Sequence, residues 1–236
     1  MRARTLALAA AVAILLAACG EAAAPVSAPN ASGGAPTATT LQGFHRVFDQ
    51  PHVSGGHPLT IFLGGQFCPF CASMRWPFVK ALSRFGTFSG LGQITSQQGT
   101  DGFNSIGSYD MTKAAFRSDY VALRMVEVAD VNGNPLQNPD AETAALVNQF
   151  DPQGSIPFVL VGGSYVAQLP YSPALLQGKT FQQILDEVNS SNPGEVGRAI
   201  DAEADGITAI ICKTDGAQPT QVCEQPTIQT LSQQAG

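Results

Sequence analysis

The clearest hydrophobic pattern in the chain is a short apolar run at residues 58–65, which has the length and composition of a buried β-strand. In residues 72–85, by contrast, apolar side chains recur at the three- and four-residue spacing of a helix. Between the two segments lies the sequence Cys68-Pro69-Phe70-Cys71. The pattern therefore predicts a strand, a tight turn that carries two thiols, and a helix.

Further along the chain, strand-like and helix-like patterns alternate. The strand-like runs, the last of them a hairpin with a Gly-Gly step, occupy residues 88–96, 120–129 and 154–169. The helix-like runs occupy residues 140–150 (with Asp140 as the capping residue), 180–188 and 195–212. Residues 98–110 are polar and glycine-rich and are predicted to form a loop. This order predicts one α/β domain with a mixed central sheet flanked by helices.

The amino terminus has the pattern of an export signal. Residues 1–4 are basic, and residues 6–16 form an apolar run that is too short to cross a bilayer. The sequence Leu-Ala-Ala-Cys-Gly at residues 16–20 resembles the bacterial lipobox, which implies cleavage after residue 18 and lipidation of Cys19. An ordinary secretory cleavage site is the alternative. In both cases we expect the protein to work outside the cytoplasm, and the lipobox adds a lipid anchor in the cell membrane or cell envelope.

Composition divides the rest of the chain into three parts. Residues 19–43 consist mostly of Ala, Pro, Ser, Thr and Gly and predict a flexible tether. Residues 44–224 are predicted to be the folded domain, and residues 225–236 a polar tail. Loss of residues 1–18 would change the formal charge from −6 to −8, because it removes two arginines. An acidic chain without a basic tract argues against a nucleic-acid partner.

The chain has five cysteines, which limit the candidate chemistry. With Cys19 assigned to the lipid, an even number remains, and in an exported protein this suggests two pairs. Sequence alone leaves the connectivity open, but the short spacings favour Cys68–Cys71 and Cys212–Cys223. We expect Cys212–Cys223 to be a structural disulfide that staples the helical carboxy terminus, with a second redox pair as the alternative.

The predicted position of Cys68 and Cys71 suits dithiol–disulfide exchange. At the start of a helix, unpaired backbone N–H groups and the helix dipole stabilise a thiolate, which makes Cys68 the predicted attacking thiol. Pro69 fits the first helical turn, since its missing donor would have no helical acceptor. Cys71 lies about one turn further on and is the predicted resolving thiol, which attacks the mixed disulfide formed at Cys68.

The order of the elements and two landmarks resemble the thioredoxin-like superfamily. The landmarks are the Cys-x-x-Cys at the start of the first helix and the Ile156-Pro157 step that opens the last hairpin. The resemblance implies a thioredoxin-like fold, with an insertion after the second strand, in which Pro157 is cis and packs beside the dithiol. It also implies that Ile156 and Pro157 present backbone groups with which an extended polypeptide substrate can pair. The alternative is that Pro157 only begins an edge strand.

A narrower resemblance is to a bacterial and archaeal thioredoxin-like family of unknown function. The segments that carry it are residues 66–72, 75–76, 81–88, 208–216 and 222–223. The similarity extends from about residue 44 to residue 224 and implies the fold, but it says little about the substrate.

One departure from the wider superfamily concerns proton transfer. Many members have a buried acid six residues before the first cysteine, where this chain has Phe62, and residues 59–65 contain no ionisable side chain. We therefore expect protons to reach Cys71 through water, the backbone or a residue from elsewhere. Arg75, on the predicted helix, is interpreted as a solvated side chain.

A zinc site is the main competing interpretation of the same cysteines. His52, His57, Cys68 and Cys71 are four potential ligands of suitable type. A proline packed against the sulfurs would crowd a metal, so we expect no metal and no cofactor. His52 and His57 are interpreted as loop residues, one of which could approach the dithiol and shift its titration.

Two functional hypotheses follow. The first is an extracytoplasmic thiol–disulfide oxidoreductase that acts on protein thiols or disulfides through Cys68 and Cys71, with a membrane redox partner as a candidate for its recycling. The second is a non-catalytic thioredoxin-like binding or scaffold lipoprotein in which Cys68–Cys71 is a structural disulfide. The hypotheses differ in the reduction potential of this pair, which would lie below about −300 mV for an inert structural disulfide.

Overall fold

The computed structural model of the protein describes residues 41–97, 102–103, 105–169 and 171–235. The predicted signal peptide (residues 1–18), the predicted lipidation site Cys19 and most of the predicted tether lie outside these residues. The described chain is a mixed α/β structure in which helices flank a mixed sheet.

The elements follow in chain order. The strands are β1 (Phe44–Arg46), β2 (Val53–Ser54), β3 (His57–Gly64), β4 (Gly86–Ser89), β5 (Gly92–Thr95), β6 (Gly107–Asp110), β7 (Ala115–Ser118), β8 (Ala122–Glu127), β9 (Phe158–Val161) and β10 (Tyr165–Ala167). The helices are α1 (Pro69–Leu82), α2 (Ala141–Phe150), α3 (Phe181–Val188), α4 (Glu195–Thr214), α5 (Thr220–Cys223) and α6 (Pro226–Gln234), with a short 3-10 helix at Pro173–Leu175.

The central sheet is built around β3. Its strand order is β1-β10-β9-β3-β2, and β8 also pairs with β3. β8 runs parallel to β3, from Leu59 opposite Ala122 to Gly64 opposite Glu127, whereas β9 runs antiparallel to β3. The sheet is therefore mixed, as predicted. All of β3 after His57 is buried, which agrees with its almost continuous apolar sequence.

Alternate side chains of β3 enter two different apolar clusters. On one face, Leu59, Ile61 and Leu63 pack in a cluster with Leu146 and Val147 of α2. On the other face, Phe62 enters the larger cluster that contains the buried side chains of α1 and α4. The two-residue period of a strand produces this division, because successive side chains point to opposite faces. The core therefore has two layers, and the cysteines of α1 belong to the larger one.

The region between α1 and β8 differs from the prediction. Residues 88–96 do not supply the strand beside β3, because β4 and β5 pair with β7 and β6 in two separate two-stranded sheets. β6 lies within the predicted loop at residues 98–110, and tertiary contacts hold it. Trp76 Nε1 donates to the Gly107 carbonyl at 3.0 Å, and the Trp76 and Tyr109 ring centroids are 4.7 Å apart. The segment that contains β4 to β7 thus precedes β8, the parallel neighbour of β3, whereas the predicted insertion followed the second strand.

The carboxy terminus is part of the core. Cys212 at the end of α4 forms a disulfide with Cys223 of α5, with their Cα atoms 5.5 Å apart, as the spacing predicted. The segment predicted to be a polar tail contains α6, whose Ile228 and Leu231 are buried against the core. The prediction was wrong because two apolar residues three positions apart suffice to hold one face of a short helix on α4.

The domain also begins slightly earlier than predicted. Leu41 is half-buried against the larger cluster, and the Gly43 carbonyl accepts a hydrogen bond from the Gln168 N–H at 2.7 Å. The last residues of the predicted tether therefore belong to the folded unit. Across the described part of the chain, no helix combines the length and the apolar character needed to cross a membrane.

Candidate dithiol site

Cys68 and Cys71 lie where β3 turns into α1. Cys68 is the N-cap residue, with extended backbone angles (φ −79°, ψ 124°), and Pro69 opens the helix. Both cysteines are free thiols. The N–H of Cys71 donates to Cys68 Sγ at 3.4 Å, so the sulfur takes the place of a capping oxygen. The strand, turn and helix are those that the sequence pattern predicted.

The Cys68 sulfur is stabilised as a thiolate. Its side-chain hydrogen bond with Cys71 lowers the pKa of Cys68 to about 7, against the opposing effect of burial. The backbone N–H groups of Cys71 and Phe70 and the charge of Arg75 lower this pKa further. Cys68 is 7% exposed, whereas Cys71 is fully buried. A lowered pKa on the more exposed of two paired thiols is the arrangement expected of an attacking cysteine.

Cys71 has the opposite character. Burial raises its pKa well above that of an ordinary thiol, and the hydrogen bond and charge of Cys68 raise it further. Its sulfur accepts a hydrogen bond from the Gly65 N–H at 3.4 Å. The two thiols therefore differ in both acidity and exposure, and this asymmetry separates an attacking from a resolving role.

Ile156 and Pro157 lie beside the dithiol. The peptide bond between them is cis, and the Ile156 carbonyl oxygen lies 3.8 Å from Cys68 Sγ. Pro157 directly precedes β9, the antiparallel neighbour of β3. Phe67, Phe70 and Ile156 are each partly exposed around the nearly buried sulfur. The outer face of the site thus consists of apolar side chains, and the Ile156 carbonyl lies close to the Cys68 sulfur.

Beneath the dithiol is an ion pair that the sequence analysis missed. Arg75 and Glu127 are both fully buried, and Arg75 Nε and Nη2 donate to the two Glu127 carboxylate oxygens at 2.8 and 2.7 Å. Arg75 Nη2 also donates to the Gly65 carbonyl at 2.9 Å, and its guanidinium lies 5.5 Å from the centre of the Phe62 ring. The interpretation of Arg75 as a solvated side chain was therefore wrong.

Glu127 reaches the site from β8. It lies opposite Gly64 in the parallel pairing, so its side chain is on the same face of the sheet as α1. This carboxylate occupies the region where residues 59–65 provide no acid. A signal for it exists in the sequence, since Glu127 is the single acid within the apolar run at residues 120–129. An acid in the middle of such a run requires a buried partner.

The two histidines of the competing zinc interpretation lie far from the sulfurs. His57 opens β3, whereas Cys68 follows its other end, and a strand of this length spans about 23 Å. His52 Nε2 instead lies 2.7 Å from a Glu142 carboxylate oxygen on α2. The structure therefore does not bring the four proposed ligands together. Within the described residues, no group of three or more His, Cys, Asp or Glu side chains is arranged to hold a metal ion.

A cavity of about 580 Å³ also lies at the end of β3 opposite the dithiol. Its lining includes His57, Asp119, Tyr120, Asp215 and Gln218, and contains neither cysteine. This cavity is therefore separate from the dithiol, where Cys68 is 7% exposed and Cys71 is fully buried.

The fold and site define a mixed α/β domain with an asymmetric dithiol at the start of its first helix. Residues 44–153 match the family described as "Domain of unknown function (DUF929)". The matched segment includes the dithiol, Arg75 and Glu127, and it ends just before Ile156. The family description carries no activity. No curated protein and no solved structure matches the chain.

Proposed function

We propose that this protein is an exported thiol–disulfide oxidoreductase with a thioredoxin-like fold, and that it acts on cysteines of other proteins. The observation that carries the proposal is the asymmetry of the dithiol. Cys68 is 7% exposed and has a pKa of about 7, while the fully buried Cys71 has a raised pKa. A purely structural pair of thiols has no need of this difference.

The proposed reaction is two successive thiol–disulfide exchanges. In the reducing direction, the Cys68 thiolate attacks one sulfur of a substrate disulfide, and the other substrate sulfur leaves as a thiolate. Cys71 then attacks Cys68 Sγ, which breaks the mixed disulfide and releases the second substrate thiol. The substrate gains two electrons and two protons, and Cys68 and Cys71 are left as a disulfide. The oxidising direction is the reverse of these steps.

The outer face of the site supports a polypeptide substrate. The Ile156 carbonyl lies 3.8 Å from Cys68 Sγ, where it can accept a hydrogen bond from the backbone of a strand that lies across the sulfur. Phe67 and Phe70 add partly exposed apolar surface on either side of Cys68. The substrate is therefore proposed to be an extended segment with apolar residues next to its cysteine.

We place the protein outside the cytoplasm, in agreement with the export signal. The lipobox-like segment at residues 16–20 supports a lipid on Cys19, which would hold the domain at the cell membrane or cell envelope. The Cys212–Cys223 disulfide supports an oxidising compartment, where such bonds persist. A membrane redox partner would restore the starting state of the Cys68/Cys71 pair.

Trapping of the mixed disulfide tests the proposal. A Cys71→Ser variant lacks the resolving thiol, so incubation with a disulfide-bonded model peptide should give a covalent adduct at Cys68, detected by mass spectrometry. The Cys68→Ser variant is the matched control and should give none. The wild-type protein should also turn over in an insulin-reduction assay. Absence of both the adduct and turnover would contradict the proposal.

The scaffold hypothesis has one observation in its favour, which is that Cys68 is only 7% exposed. A binding lipoprotein with a structural Cys68–Cys71 disulfide would give no turnover and a reduction potential below about −300 mV for this pair. A redox-active pair should be less reducing than this limit. Measurement of the potential against a glutathione or dithiothreitol buffer therefore separates the two hypotheses.

A further inference from the structure

Among the ion pairs of the described residues, Arg75–Glu127 is the one in which both side chains are fully buried. Both side chains have no solvent exposure, and burial of two ions costs more free energy than an apolar pair of the same size. Breaking such a pair leaves a buried charge without a partner, whereas replacing both residues with apolar ones is often tolerated. Packing alone therefore does not explain why charges occupy this position.

The pair is connected to both thiols through Gly65. The Gly65 carbonyl accepts hydrogen bonds from Arg75 Nη2 at 2.9 Å and from the Cys68 N–H at 3.2 Å. The Gly65 N–H donates to Cys71 Sγ at 3.4 Å. Arg75 thus holds the backbone segment that positions both cysteines. Arg75 lies one helical turn after Cys71, which places it on the same face of α1.

Arg75 also has an unused donor. Its Nη1 atom is buried and has no hydrogen-bond partner among the described residues. The charged groups linked to the dithiol from the packed elements are Arg75 on α1 and, through its ion pair with Arg75, Glu127 on β8. Asp110 on β6 is engaged by Gln66 and Thr112. Arg75 is therefore the one cation in the described part of the site that can act on the sulfurs.

We infer that Arg75 is a positioning residue whose positive charge stabilises the thiolate form of the dithiol, and that Glu127 is the counter-ion that limits this effect. The inference rests on the proposed function, because it names the charges that set the pKa of the attacking and resolving thiols. In line with the geometry, the charge of Arg75 lowers the pKa of both Cys68 and Cys71.

The inference requires the two partners to have opposite effects. Arg75→Gln removes the cation and should raise the pKa of Cys68 by about 0.5 to 1, because a nearby opposite charge favours ionisation. Glu127→Gln leaves the cation uncompensated and should lower the same pKa. If the ion pair were purely structural, both substitutions should shift the pKa of Cys68 in the same direction. The pKa is measured from thiolate absorbance and from the pH profile of iodoacetamide alkylation in the reduced full-length protein.

Two further variants keep the test decisive if a single substitution prevents folding. Arg75→Lys retains the charge but not the paired hydrogen bonds, so it should stay close to the wild-type pKa. The double substitution Arg75→Met with Glu127→Met replaces the ion pair with an apolar pair of similar size. It should raise the pKa by less than Arg75→Gln does, because the opposing effect of Glu127 is lost as well, and it should slow alkylation at neutral pH by up to about threefold as the thiolate fraction falls.

The reduction potential gives an independent readout. Loss of the cation destabilises the reduced thiolate, so Arg75→Gln should make the dithiol more reducing than in the wild type. Glu127→Gln should make it less reducing than in the wild type. The inference would be overturned if Arg75→Gln and Glu127→Gln shifted the pKa in the same direction as each other, and likewise the potential. An unchanged pKa in the double variant would also overturn it. These measurements need no substrate. If they succeed while Cys71→Ser forms no adduct, only the proposed function fails.

Discussion

The N–H of Cys71 donates to Cys68 Sγ over 3.4 Å, so one thiol residue supplies the hydrogen bond that stabilises the sulfur of the other. The side chain of Cys71 makes the largest contribution to the lowered pKa of Cys68. The acidity of Cys68 therefore depends on the residue at position 71 as well as on the helix.

Replacement of Cys71 should accordingly make Cys68 less acidic. In Cys71→Ala the side-chain hydrogen bond is lost and only the backbone N–H remains, so the pKa of Cys68 should rise above its value of about 7. Below the pKa, the alkylation rate should fall about tenfold for each unit decrease in pH. Cys71→Ser keeps a hydroxyl donor and should show a smaller rise. Equal pKa values in Cys71→Ala and the wild type would contradict the prediction.

Glu203 should destabilise the folded protein at neutral pH. It is almost fully buried, its Oε1 atom has no hydrogen-bond partner among the described residues, and burial raises its pKa well above the ordinary value. Glu203 ionises at a lower pH in the unfolded chain than in the folded protein. The folded state therefore loses stability as the pH rises above the ordinary carboxyl pKa. Glu203→Gln should thus raise the melting temperature at pH 7.

The pH dependence of that gain is the decisive measurement. As the pH falls toward about 4, both folded and unfolded wild-type chains hold the proton, so the advantage of Glu203→Gln should disappear. Glu224 is exposed and Glu224→Gln serves as the matched control, with little change expected at any pH. A gain for Glu203→Gln that stays constant from pH 4 to pH 7 would show that ionisation is not its cause.

The Cys212–Cys223 disulfide should stabilise the carboxy-terminal helices. It closes a loop with a sequence separation of 11, which corresponds to about 2–3 kcal/mol in the chain-entropy description. The double substitution of both cysteines by Ser should lower the free energy of unfolding in urea by this amount. Cys68→Ser with Cys71→Ser removes the same number of cysteines but leaves the disulfide, and so controls for loss of cysteine. An unchanged urea midpoint would show that α5 and α6 are held by packing alone.

α6 should be required for full stability despite its polar composition. Leu231 is fully buried, so Leu231→Ala should cost about 2–4 kcal/mol in urea unfolding through lost burial and the cavity left behind. Gln229 is exposed on the same helix, and Gln229→Ala should change the free energy of unfolding by less than about 0.5 kcal/mol. Similar values for the two variants would mean that α6 does not pack as described.

Local patterns in the sequence determined β3, α1, β8, α2, the β9–β10 hairpin, α3 and α4. These elements have either a continuous apolar run or a clear helical period, which local physics turns into one kind of structure. The position of Cys68 at a helix start and the Cys212–Cys223 pairing also follow from short-range spacing. The resemblance to a known superfamily, in contrast, was needed to predict that Pro157 is cis and lies beside the dithiol.

Only the tertiary structure decided the surroundings of the dithiol. β6 has no strand pattern and forms because Tyr109 and Gly107 meet Trp76 across the fold. Glu127 is 59 residues from Cys68 in the sequence and comes to the site because β8 pairs in parallel with β3. Sequence spacing alone does not specify which strands become neighbours, since that choice depends on burial of the whole sheet. The sequence thus determined the Cys68–Cys71 pair, and the parallel strand pairing decided which charges lie beneath it.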